Sequence, residues 1–141
     1  MKQLYFAIIS VFFSIAFSSC DSKDGDWDPI EVTIDGKYIK KNTIDVPTEG
    51  GTYVMTSRNY GVPWLVNIMM DGKFLWDYDD IRHDYAEKGL TFDWLHLETS
   101  QQKGYTITFQ ANTTTTDRTA QFKLECGDAF GSFIFVQKAH E

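Results

Sequence analysis

From Tyr105 to Gln137, hydrophobic and polar residues alternate in three consecutive runs. Tyr105, Ile107, Phe109 and Ala111 share one parity, with Thr106, Thr108 and Gln110 between them. Ala120, Phe122, Leu124 and Cys126 do the same against Thr119, Gln121, Lys123 and Glu125. After a break at Gly127 to Gly131 come Phe133, Ile134, Phe135 and Val136. A period of two sends alternate side chains to opposite faces, so the first two runs predict strands with one dry side. The third is apolar at both parities, the pattern of a strand covered on both faces.

The N-terminal half has the same rhythm. Ile30, Val32 and Ile34 alternate and meet Asp35-Gly36, a two-residue hairpin signal with Lys37 to Lys41 as the return strand. Ile44 and Val46 form a short strand closed by Pro47, which has no donor for a ladder. A turn at Glu49-Gly50-Gly51 leads to Tyr53, Met55 and Ser57. Beyond Asn59 to Gly61, Pro63 opens a strand with Trp64, Val66 and Ile68 on one face, ended by Asp71-Gly72. Trp94, Leu95 and Leu97 begin another strand. Short strands separated by turn signals predict an all-β sandwich, with Trp64 and Trp94 in its core.

The stretch 73–93 breaks the pattern. Phe74, Trp76, Tyr78, Tyr85 and Phe92 are interspersed with Asp77, Asp79, Asp80, Asp84 and Asp93. Ile81 to Lys88 suits either one or two helical turns or a loop.

The first residues read as an address. Lys2 precedes an apolar run from Leu4 to Phe17, too short to span a bilayer comfortably and placed like a signal peptide. Ser18 and Ser19 then precede Cys20, which resembles a bacterial lipoprotein signal. That resemblance implies cleavage after residue 19, lipidation of Cys20 and membrane attachment through the acyl chains. Residues 20–29 form an acidic tether and residues 30–141 one domain, with 73–93 as an aromatic insert. Trp27 is expected to dock on the base of that domain. Removing residues 1–19 takes away Lys2 and moves the formal charge from −7 to −8. A surface this acidic repels nucleic acid. With Cys20 lipidated, Cys126 has no partner and reads as a small buried hydrophobe.

Several segments together resemble the BACON domain family. They are Val46-Pro47-Thr48-Glu49-Gly50-Gly51-Thr52-Tyr53, Pro63-Trp64-Leu65-Val66, Trp94-Leu95-His96-Leu97 and the asparagine-threonine turn from Ala111 to Ala120, closed by Arg118. Gln137 matches the family's terminal glutamine. The resemblance implies an immunoglobulin-like β-sandwich and a Bacteroidetes lipoprotein of the outer membrane, exposed at the cell surface. It also implies association with carbohydrate or mucin glycans.

Aromatic residues make up 16% of the chain, more than a core of this size calls for. Trp76, Tyr78 and Tyr85, with Asp77 and Asp79, are the candidate ligand-binding residues. Flat rings stack on the C–H faces of sugars, and carboxylates accept from their hydroxyls. The alternative is a satellite cluster of rings folded over the sheet. The aspartate spacing matches no EF-hand, so neither metal nor cofactor is expected. Asn112-Thr113-Thr114 is formally a glycosylation sequon, but the family's turn accounts for it better. No nucleophile, zinc or phosphate-binding motif occurs, so no enzyme is expected. The leading function is a non-catalytic glycan-binding module. The alternative is a structural spacer or protein-interaction subunit that contacts other surface proteins.

Overall fold

A computed structural model describes residues 27–77, 89–100 and 104–140. The signal segment, Cys20, most of the tether, and Tyr78, Asp79 and Tyr85 lie outside the described residues. The described residues hold eleven strands: β1 (Val32–Ile34), β2 (Lys37–Tyr38), β3 (Thr43–Val46), β4 (Gly51–Ser57), β5 (Trp64–Met70), β6 (Lys73–Asp77), β7 (Leu90–Phe92), β8 (Leu95–Ser100), β9 (Gly104–Phe109), β10 (Arg118–Cys126) and β11 (Ala129–Gln137).

They form two sheets. One has the order β2-β1-β4-β9-β8-β7 and the other β3-β11-β10-β5-β6. All pairings are antiparallel except that of β3 with β11. The dry faces meet as the alternation requires. Val32, Met55, Leu97, Ile107 and Phe109 come from the first sheet, and Val46, Ile68, Phe122, Leu124, Phe133 and Phe135 from the second. Phe109 and Phe135 join the layers, their ring centroids 5.2 Å apart. Packed rings of this kind contribute beyond their buried area. The architecture is the all-β, immunoglobulin-like sandwich that the strand pattern and the family resemblance imply.

Two hairpins turn on Asp-Gly pairs. Asp35 and Gly36 have φ of 50° and 77°, and Asp71 and Gly72 have 49° and 73°. Both residues of each loop are left-handed, which matches the twist of the flanking strands. The second hairpin changes the picture of the 73–93 stretch. Asp71-Gly72 does not end the strand region but feeds β6, which pairs with β5, and the far end of the stretch pairs as β7 with β8. Both ends of the insert are therefore edge strands of the sandwich.

Three other expectations change. First, β5 does not alternate strictly. Asn67 faces Lys123 while Leu65 faces Leu124, so Val66 is an extra residue, a β-bulge. The bulge resets the parity: Leu65, Ile68 and Met70 point inward, and Trp64 is turned out of the core. Second, β11 starts at Ala129, directly after a two-residue turn at Gly127 and Asp128. Phe130 is thus a strand residue. The outer-face residues Ile134 and Val136 are only half-buried, so β11 is not covered on both faces. Third, Trp27 is exposed rather than docked.

Candidate functional site

Trp76 and Asp77 close β6, with their backbones opposite Ile68 and Asn67 of β5. Tyr78, Asp79 and Tyr85 lie outside the described residues. The flanks of the predicted site are defined. β6 is the edge of one sheet and β7 the edge of the other. A cleft of about 410 Å³ opens beside these edges, lined by Met70, Asp71, Lys73, Leu75, Thr91, Phe92, Asp93 and Trp94. Asp71 is already engaged, since its carboxylate accepts from the Thr119 amide at 2.7 Å. Its role is to hold the β5–β6 hairpin against β10.

A second arrangement lies on the outer face of the five-stranded sheet. Trp64 pairs with Glu125, and Glu125 pairs with Phe130. Paired residues point to the same side of a sheet, so the three form one row across β5, β10 and β11. Trp64 is 58% exposed and Phe130 48% exposed. Strands lie about 4.8 Å apart, which puts the two aromatic positions about 10 Å from each other with a carboxylate between them. Lys123 Nζ sits 5.4 Å from the centre of the Phe130 ring, a cation–π contact that helps hold its orientation. Two large exposed rings in one row on a sheet face make this a candidate recognition surface.

Sequence reasoning missed this row for local reasons. Trp64, Val66, Ile68 and Met70 form an unbroken apolar parity. Only the partner strand β10 shows that a bulge interrupts it. Phe130 stands between Gly127 and Gly131, which reads as a turn.

A groove of about 260 Å³ runs along the opposite open edge, between Tyr38, Ile39 and Asn42 on one side and Phe130 and Phe133 on the other. The polar groups on its rim are engaged with one another. Arg58 stacks over Tyr38 at 4.5 Å and pairs with Glu31 at 3.0 Å, and the Tyr38 hydroxyl donates to Glu31 at 3.3 Å. That arrangement braces β1 and β2.

The family-like turn proves structural. Asn112 is fully buried; its amide donates to the carbonyls of Thr116 and Lys138, and its carbonyl accepts from the Thr114 amide and hydroxyl. A side chain so engaged is no glycosylation acceptor. Gln137, 1% exposed, donates to the carbonyls of Pro47, Thr48 and Gln110 and accepts from Arg118 at 2.8 Å. Arg118 also donates to the Gln110 carbonyl and lies 4.5 Å over the Trp94 ring. Burial lowers the Arg118 pKa, opposed by the nearby Asp71 carboxylate. Asp117 has a lowered pKa because its carboxylate accepts from the Ala139 amide and the Lys138 ammonium. Cys126, half-buried on β10, is a free thiol. Among the described residues, no three His, Cys, Asp or Glu side chains converge as a metal-ligand set.

The fold is an immunoglobulin-like sandwich with a cleft beside its β6 and β7 edges and an aromatic row on one outer face. The model of the BACON family, described as "Putative binding domain, N-terminal", matches residues 85–137, a stretch that contains β7 to β11. Over that stretch the chain is BACON-like, as its turn and terminal glutamine imply. An NMR structure of a protein from Bacteroides thetaiotaomicron superposes with a TM-score of 0.65 at 25% sequence identity, covering 84% of this chain and 94% of that one. No curated protein matches the chain.

Proposed function

We propose that this protein is a non-catalytic glycan-binding module of the bacterial cell surface. It is held in the outer membrane by lipid on Cys20, and residues 21–29 lift the sandwich clear of the bilayer. The observation that carries the reading is the row of Trp64, Glu125 and Phe130, two exposed rings flanking a carboxylate on one sheet face. Rings of this kind stack on the C–H faces of pyranoses, and the carboxylate between them accepts from hydroxyls. The match of residues 85–137 to a family described as "Putative binding domain, N-terminal" supports the reading. Trp76, Tyr78, Tyr85, Asp77 and Asp79 are a second proposed contact region.

A glycan array with the purified protein tests this function. The expected result is retention of a defined set of glycans, reduced by Trp64→Ala or by the double change Trp76→Ala and Tyr78→Ala. A blank array, with one stoichiometric protein partner recovered by cross-linking, would instead favour a protein-interaction subunit.

A further inference from the structure

We infer that the outer face of the five-stranded sheet binds an extended, uncharged, linear glycan running across the strands. Trp64 and Phe130 would stack on sugar units two apart, with Glu125 under the unit between them. The inference rests on the glycan-binding reading and assigns that function its ligand class and minimum length.

Geometry sets the shape. The two aromatic positions are separated by two strand spacings, about 10 Å. In a flat ribbon of equatorially linked pyranoses, two units span a comparable distance. Alternate units also turn the same face in the same direction, so the first and third can both lie on rings from one side. A single sugar reaches one ring only, and a coiled chain cannot lie flat on both.

Charge sets the chemistry. Glu125 lies at the middle of the row, and the whole chain carries a formal charge of −7. Sulfated or uronic-acid glycans would meet like charge at the point of closest contact. Lys123 is held at the Phe130 ring and shields one end of the row only. Hydroxyl-rich neutral chains fit, because the carboxylate accepts two or more of their hydrogen bonds.

Isothermal titration of the purified protein with β-1,4-linked glucose oligosaccharides of one to six units tests the inference. An α-1,4-linked series serves as the coiled control. Affinity is expected to rise about three- to tenfold when the third unit is added, as the second ring is engaged. The α-linked series should show no such step. Trp64→Ala and Phe130→Ala should each abolish the step while leaving the unfolding midpoint nearly unchanged, since both rings are exposed. Length-independent binding, or binding indifferent to both substitutions, overturns the inference but leaves the glycan-binding function standing. Silence across this ladder, with array glycans of another class retained, does the same. Silence in both overturns both.

Discussion

At the residue scale, the end of the sandwich is fixed by a few buried polar side chains. Gln137 gathers three carbonyls from the loops after β3 and β9 and returns its own oxygen to Arg118. Each of these carbonyls has a second donor, in the Gly50 amide, the Asn112 amide or Arg118, but loss of Gln137 removes four hydrogen bonds and empties a buried site. Gln137→Ala is therefore expected to destabilise the fold by about 2–4 kcal/mol, measured by urea unfolding. A loss smaller than about 1 kcal/mol would show that the remaining donors and local repacking make up for Gln137. Gly50 belongs to the same corner. Its φ is +80°, and a Cβ there would lie 2.2 Å from the Phe109 carbonyl oxygen. Only glycine lets the chain pass so close. The sequence marks these positions as the family's turn, glutamine and arginine, but not the bonds they make. Those bonds join residues up to 90 positions apart.

At the element scale, the bulge in β5 decides which tryptophan serves the core and which serves the surface. Trp94, 9% exposed, lies between the Arg118 guanidinium and the Phe109 ring, whose centroid is 6.0 Å away. Its removal leaves a cavity and an unstacked cation, so Trp94→Ala should cost about 3–5 kcal/mol. Trp64→Ala should cost less than about 1 kcal/mol, as at other exposed positions. Chemical denaturation of the two variants side by side checks both; equal losses would contradict the bulge. The strands β9 and β10 and the Asp35-Gly36 hairpin were legible because alternation and turn chemistry are local. The bulge was not, because an apolar run at one parity looks the same whether it is continuous or broken. What breaks it is register with β10, and no window on β5 alone contains that. The pairing of β6 was hidden for a related reason: its bulge at Leu75, between the partners of Ile68 and Met69, blurs the period of two.

At the scale of the whole molecule, the sandwich separates its faces by chemistry. The interior is filled by both sheets, the open edges carry braced charges and a cleft, and one outer face carries aromatic residues in register. The sequence announced a surplus of aromatic residues, and composition placed it in the 73–93 stretch. The structure adds Trp64 and Phe130, which come from opposite halves of the chain and meet only across β10. Such a site has no sequence spacing to read. The central claim is that this row is where a glycan rests. Backbone amide shifts of ¹⁵N-labelled protein, followed while the β-1,4-linked hexasaccharide is added, test it most directly. The account predicts saturable shifts centred on Trp64, Lys123, Glu125 and Phe130, with the buried β9 amides unmoved. Saturable shifts confined to the 73–93 stretch, with that row silent, would contradict it.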